Sequence, residues 1–325
     1  MGTQSLTENI KAFALGEAGF DLIGIAPAFL PEIHERAMAQ WLDKGFAGSM
    51  DYMAKNPDKR AKPRQIIPDA RFVISLAVNY YHPEDSKPQD RLVGKVAKYA
   101  YGRDYHKLIE KKLKRLSIFI LSVGGDGARV KSYVDTGPIL EKAFAQRSGL
   151  GFFGKNTNLI TKDFGSWVFL ASLITNLELE PDQPHTGSCG SCRICIDACP
   201  TGALLGGYEM DARKCISYLT IEDKTPAAVY HASPIKKQIG EWVFGCDICQ
   251  DVCPYNVRAK STRHEELYPM KKAGTWLDLE EVQAIKDDET FGVRFQGSPL
   301  KRPKLSGLLR NTQVVLKNLT NERLL

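Results

Sequence analysis

The sequence predicts an α+β fold: a large N-terminal domain around a central sheet, a small cysteine-rich module, and a short helical C-terminal segment. Three observations predict it. Strand and helix patterns alternate irregularly over residues 1–183, all eight cysteines fall between Cys189 and Cys253, and the last stretch reads as basic helix. The expected units are therefore 1–183, 184–260 and 261–325.

Within the first unit, residues 5–18 carry an amphipathic helical pattern, and residues 20–26 read as a buried strand after the break at Gly19. Residues 31–44 read as helix and residues 58–64 as a basic loop. Residues 71–80 form the clearest strand, rich in β-branched residues and followed by the turn residues His82 to Asp85. A long helix is expected over 104–122, a strand over 128–135, and a helix over 139–147 with Pro138 at its start. The loop Gly149-Leu-Gly-Phe-Phe-Gly154 fits G-x-G-x-x-G by letter, but no helix pattern follows it, so it is a poor nucleotide loop. Residues 158–161 and 166–174 read as a hairpin around Asp163-Phe-Gly165. Helices are expected over 277–285 and 300–325.

The cysteines carry the chemistry. Cys189, Cys192, Cys195 and Cys199-Pro200 give C-x2-C-x2-C-x3-C-P, the bacterial ferredoxin signature, whose fourth Cys reaches the other cluster in two-cluster proteins. Cys215 follows alone, and Cys246, Cys249 and Cys253-Pro254 close the set. Two [4Fe–4S] clusters need eight thiolates. The first takes Cys189, Cys192, Cys195 and, crossing over, Cys253; the second takes Cys199, Cys215, Cys246 and Cys249. Zinc knuckles would leave four cysteines unexplained, and a disulfide framework needs a secretory context.

The 325 residues carry a net charge of +6. Residues 1–20 show no basic-then-apolar signal pattern, and no stretch approaches eighteen apolar residues, so a cytoplasmic, membrane-free protein is expected. The last thirty residues place Lys301, Arg302, Lys304, Arg310, Lys317 and Arg323 against the single acid Glu322. Such clustered basic charge suits a polyanion, or else a solvated helix face.

The blocks Tyr101-Gly-Arg-Asp-Tyr-His106, Ser132-Tyr-Val-Asp-Thr-Gly-Pro138 and Gly149 to Asn156, with the two cysteine motifs, resemble epoxyqueuosine reductases over roughly residues 5–315. The resemblance implies a cobalamin-binding, reductive-dehalogenase-like N-terminal domain fed by the ferredoxin-like one. It also implies reduction of epoxyqueuosine to queuosine at the tRNA wobble position, the last step of queuosine biosynthesis. Longer members continue into a pair of HEAT-like helical repeats, whereas this sequence stops at Leu325, and the resemblance is to a short form. By residue type, Asp135 reads as a strand-end Asp capping a turn. The resemblance makes it the proton donor, and desolvation against a corrin would raise its pKa and keep it protonated.

By the same resemblance Arg60, Asp135, Asn156, Thr161, Ser217 and Asp247 contact the cobalamin. Asp104-Tyr-His106 begins D-x-H-x-x-G but has Ile109 at the Gly position, so base-off cobalamin without a protein His ligand is expected, with His106 a helix-start residue packing locally. Lys301, Arg302, Lys304 and Arg310 are the candidate tRNA contacts, through phosphates. A monomer served by an external low-potential electron donor is expected. Two alternatives stand: a cobalamin-dependent reductive dehalogenase, which typically carries a twin-arginine signal and a tyrosine donor, and a ferredoxin-type electron-transfer subunit, which would bind neither corrin nor tRNA.

Overall fold

The computed structural model describes residues 2–270 and 273–322; Arg323, counted in the basic tail above, lies outside the described residues. The chain runs α1 (Thr3–Leu15), β1 (Leu22–Pro27), α2 (Glu32–Asp43), α3 (Pro57–Ala61), β2 (Phe72–Asn79), β3 (Val93–Val96), α4 (Tyr105–Gly124), β4 (Val130–Val134), α5 (Glu141–Arg147), β5 (Gly151–Phe153), β6 (Leu159–Thr161) and β7 (Val168–Thr175). It continues through α6 (Ile194–Asp197), β8 (Leu204–Gly206), β9 (Glu209–Met210), α7 (Ile216–Ile221), α8 (Ala227–Ala232), β10 (Trp242–Phe244), α9 (Ile248–Asp251), β11 (Trp276–Asp278), α10 (Leu279–Gln283), α11 (Asp288–Arg294) and α12 (Lys304–Glu322).

β2 is buried at every position, so it cannot be an edge strand. With β7 it forms the centre of a four-stranded antiparallel sheet ordered β1-β2-β7-β4. Alternate side chains serve opposite faces. Ile74 and Leu76 meet Ile10 of α1 and Ile109, Leu113 and Leu116 of α4, whereas Val73 meets Ala143 and Phe144 of α5. Each fully buried aliphatic residue of this kind contributes about 1.5–3 kcal/mol. Gly24 of β1 admits the turn after α5, since a Cβ there would lie 2.0 Å from the Ser148 carbonyl oxygen.

A second sheet, ordered β10-β3-β11, draws one strand from each of the three expected units. Its apolar core likewise joins Val96 and Tyr101 to Val243, Phe244, Leu277, Leu308 and Val315. The three sequence stretches therefore share cores. Asp21, at the foot of β1, extends this interlocking by accepting from His264 at 2.8 Å and Arg263 at 2.8 Å.

Four expectations fail for identifiable reasons. Residues 58–64 are not a loop: Pro57 opens the short helix α3 through Ala61, and Pro63 starts a 3-10 turn to Gln65. Residues 158–161 and 166–174 do not pair as a hairpin. Only Thr161 and Gly165 bridge, because β6 takes glycine-opened β5 as its partner while apolar β7 is claimed by β2 and β4. Residues 276–278 are strand, and α10 begins only where the Asp278 side chain accepts from the Glu280 and Glu281 N–H groups. α12 starts at Lys304 rather than at residue 300, after a 3-10 turn over Pro299–Lys301 and a left-handed Lys304 (φ 60°).

The α12 packing also corrects Arg310, expected at the tRNA surface. It is 5% exposed. Its guanidinium donates to the carbonyls of Leu219 at 2.8 Å, Asp223 at 2.8 Å and Thr225 at 3.2 Å, and lies 3.9 Å over the Tyr230 ring. Arg310 is an internal clamp between α12 and α7 with the chain just after it. Arg310→Met strands those carbonyls and is expected to cost about 3 kcal/mol, measured as a lower urea midpoint of the iron-loaded protein. An unchanged midpoint would mean that the clamp carries no stability.

Candidate functional site

The cysteines converge as two groups. Cys195 lies near Cys189, Cys192 and Cys253, and Cys253 near Cys189 and Cys192. Cys246 lies near Cys249 and Cys215, and Cys199 near Cys215 and Cys249; Cys249 also feels Cys195, so the two groups adjoin. The turns of α6 and α9 aim the C-x2-C thiols inward, and the chain before α7 brings in Cys215. Burial first, then mutual charge, pushes up the thiols of Cys195, Cys249 and Cys253. Buried thiols crowded this way resist ionisation unless a cation sits among them, so the donor set fits iron. The first group is further tied by Lys155, whose backbone N–H reaches Cys189 Sγ at 3.4 Å. Its Nζ donates to the carbonyls of Gly190 at 2.7 Å and Cys192 at 2.9 Å.

Beside the second group opens a cavity of about 1080 Å³, beyond the ~300–1000 Å³ of ordinary small-molecule sites. Its wall includes Cys215 and Ser217, Arg60 and Tyr52, the pair His106 and Asp135, and Lys301, Arg302 and Lys304. Met50, Met53, Met210 and Tyr99 supply apolar surface, as a broad flat ligand needs. Arg302 is held by a bidentate contact to Glu222 at 2.9 and 3.3 Å, and Arg60 Nη2 donates to the Tyr52 carbonyl at 2.8 Å.

Asp135 follows β4 with φ 56°, a left-handed conformation that a non-glycine residue keeps only where its surroundings impose it. Its Oδ2 accepts from His106 Nε2 at 3.3 Å, and His106 Nδ1 contacts Asp104 Oδ1 at 2.7 Å. Asp104 also caps α4 by accepting from the His106 backbone N–H at 3.0 Å. The hydrogen bonds to Asp104 and then Asp135 hold the His106 pKa up to about 9. With the cavity open, the His106 hydrogen bond outweighs partial burial and lowers the Asp135 pKa; the expected rise belongs to the site desolvated by a corrin. The carboxyl that rises is that of Glu141, pushed by burial to about 8, with Oε1 sealed from solvent and without a partner.

Three expected cobalamin contacts are not on the cavity wall. Thr161 is 1% exposed; its hydroxyl donates to the Gly165 carbonyl at 2.9 Å and accepts from Phe164 N–H at 3.2 Å, closing a turn. Asn156 is also buried, its Nδ2 donating to the Cys249 carbonyl at 3.2 Å. Asp247 is buried under Lys98, whose backbone N–H it accepts at 2.6 Å. Burial pushes Asp247 up to about 6. Asn156 and Asp247 tie the large domain to the second cysteine group, whereas Thr161 acts within the large domain.

Residue reasoning missed His106, read as local packing, because its partner Asp135 comes from β4. The local half of the signal, an Asp two residues before a His at a helix start, was visible. It also missed Glu141 and the buried Lys98, which reaches Asp251 at 2.6 Å.

Comparison with known proteins accounts for this combination. The family model described as epoxyqueuosine reductase QueG, DUF1730, matches residues 60–136, and a 4Fe-4S double cluster binding domain matches residues 188–256. A protein named epoxyqueuosine reductase from Leadbetterella byssophila is 43% identical over 95% of this chain and 98% of its own. One from Pseudomonas aeruginosa is 40% identical over 96% of this chain and 85% of its own. Among solved structures, an epoxyqueuosine reductase with an epoxyqueuosine-modified tRNA-Tyr stem loop superposes with TM-score 0.89 at 30% identity, covering 98% of this chain and 83% of that one. A Bacillus subtilis epoxyqueuosine reductase with its catalytic loop swung out of the active site gives 0.88 at 29% identity, with the same shares covered. With iron-fitting cysteine groups, an adjoining cavity and these relatives over nearly the whole length, the chain belongs to the epoxyqueuosine reductase family of oxidoreductases.

Proposed function

We propose that this protein reduces epoxyqueuosine to queuosine at the wobble position of tRNA, with electrons passing through two [4Fe–4S] clusters to a cobalamin in the cavity. The observation that carries the reading is that one cavity wall joins Cys215 of the second cysteine group to Asp135. An electron source and a proton source thus face a single substrate space. The first cluster takes Cys189, Cys192, Cys195 and Cys253, and the second Cys199, Cys215, Cys246 and Cys249. The cobalamin supplies a strongly reducing centre next to the substrate. Arg60 and Ser217 are the residues on the wall that would hold it. His106 Nδ1 and Nε2 are engaged by Asp104 and Asp135, which supports a cobalamin without a protein His ligand.

The chain's own part is to bind, orient and protonate. Asp135 Oδ2 presents its proton to the epoxide oxygen, which leaves as water. Lys301 and Lys304 at the rim take phosphates of the anticodon loop and let the modified base splay inward. Arg302, already matched to Glu222, positions more than it binds. Of the units divided at 183 and 260, the first gives the cavity Asp135, the second Cys215 and the third Lys301. An external low-potential carrier would feed the clusters of a monomer. Among the described residues no helix is long and apolar enough to cross a membrane, and a cytoplasmic location suits a tRNA substrate.

The test is anaerobic purification with cobalamin supplied, metal quantification, and an epoxyqueuosine-tRNA assay with a strong reductant. About eight irons per chain, one cobalt and conversion to queuosine are expected; irons without cobalt or turnover would reduce the protein to an electron carrier. Asp135→Asn should keep both metals and lose about 10²–10⁴-fold in turnover, and undiminished turnover would remove Asp135 from the chemistry. Cys189→Ala and Cys253→Ala should leave one and the same residual EPR signal, and Cys199→Ala and Cys215→Ala the other. A Cys253→Ala spectrum matching Cys199→Ala would refute the crossing. Replacing Lys301 and Lys304 together by Ala should reduce the salt slope of tRNA binding by about 0.7 per lost phosphate contact. An unchanged slope would assign both to solvent.

A further inference from the structure

Conversion of an epoxide to an alkene breaks both C–O bonds, forms the C=C bond, and releases the oxygen as water. It consumes two electrons, here from the external low-potential carrier by way of the clusters, and two protons. One carboxyl cannot supply both protons without being reloaded. Asp135 lies on the cavity wall with its side chain 59% exposed, and it ends a hydrogen-bonded line of three side chains that runs back through His106 to Asp104.

We propose that His106, fixed by Asp104, is the positioning residue that reloads Asp135. A proton passes from His106 Nε2 to Asp135 Oδ2 and from there to the substrate oxygen, and His106 takes a fresh proton from water before the second transfer. This rests on the reading under Proposed function. The geometry leaves the imidazole little freedom. Its Nδ1 is held at 2.7 Å by Asp104, which is itself fixed as the cap of α4. The ring stacks on Tyr105 at 4.2 Å, and Tyr105 stacks on Phe169 of β7 at 4.0 Å. At 30% exposed, the ring can still exchange protons with water in the cavity.

The charges around the pair keep the proton on the imidazole at rest. Asp104 and Asp135 favour the cation, and Arg302 from the start of the C-terminal segment and the Tyr105 hydroxyl favour ionised Asp135. Lys107 favours ionised Asp104. Glu141 from α5 lies on the same side, and its burial keeps it protonated up to about 8. Tyr52, Tyr99 and Tyr105 are all pushed above the ordinary tyrosine value by burial, so they stay neutral. The resting pair is therefore imidazolium and carboxylate, a single stored proton shared along one hydrogen bond.

The experiment has two arms on the intact, iron-loaded protein. In the first, the imidazole ¹⁵N resonances are titrated with the clusters oxidised, and His106 is assigned by its loss in His106→Gln. A midpoint near 9 is expected, falling in Asp104→Asn and Asp135→Asn; an ordinary midpoint near ~6.5 that neither substitution moves overturns the proposal. In the second, His106→Gln should lower kcat about 10²-fold or more at neutral pH, leave KM within about twofold and keep both cluster EPR signals. Added imidazole should restore rate in proportion to its protonated fraction. A loss carried by KM, or one that imidazole does not restore at any pH, overturns the reloading role. If the parent protein fails to turn over epoxyqueuosine-tRNA, the reading of function falls, and the titration still decides whether His106 and Asp135 share the proton.

Discussion

The demand that eight thiols from three separate stretches meet as two groups governs this structure. Seven of them come from two short C-x2-C-bearing motifs, but the lone Cys215 must meet Cys246 and Cys249 across a loop of some thirty residues, and Cys199 must join them. Closing a loop of that length costs little more than closing a short one, because the entropy grows only with the logarithm of length. The intervening chain is used: it supplies α7, α8 and β10, and β10 pairs with β3 from the far N-terminal side. The cluster module is thus woven into the large domain. Asn256 shows the same interlocking, accepting from the Ser166 N–H at 2.8 Å and donating to the Ser166 hydroxyl at 2.9 Å.

Buried charge follows from that weave. Lys98 is 6% exposed and lies 4.9 Å over the Trp167 ring. Burial opposes its charge, but Asp247 and Asp251 override it and hold the pKa above the ordinary lysine value. A buried pair of this kind gives little net stability, since desolvation offsets most of the attraction, while removal of one partner is costly. Its use here is positional: the Lys98 backbone fixes Asp247 between Cys246 and Cys249, and its side chain fixes Asp251 at the end of α9. The large domain thereby sets the orientation of the second cysteine group relative to the cavity.

What was legible in the sequence was local. Ligand spacing in C-x2-C-x2-C-x3-C-P is a property of one tight loop, so both cysteine groups could be read without a fold. The eight-residue apolar strands β2 and β7 were readable because burial on both faces leaves an uninterrupted pattern. β3, β10 and β11 were not, since each has three or four residues and exists only through partners 147 or more positions away. Arg310 failed for a related reason. A basic residue in a basic tail looks solvent-facing, and nothing local says that the carbonyls of Leu219, Asp223 and Thr225 need a donor at that place.

At Asp135 two effects of opposite sign meet. Desolvation alone raises a carboxyl's pKa, and that reasoning treats the site as one group in a low dielectric. The site holds a line of three groups, and the hydrogen-bonding cation is the larger effect on Asp135. A protonated acid at neutral pH is then unnecessary at position 135, because the proton rests one residue further back, on an imidazole raised to about 9. Such an arrangement suits chemistry that consumes two protons in succession: a carboxyl of lowered pKa passes its proton on readily, and the neighbouring imidazolium refills it. The backbone strain at Asp135, φ 56° after β4, is consistent with this division of labour. It places the carboxylate where His106, on a different element, can reach it, and strain of this kind persists only where surrounding structure fixes it.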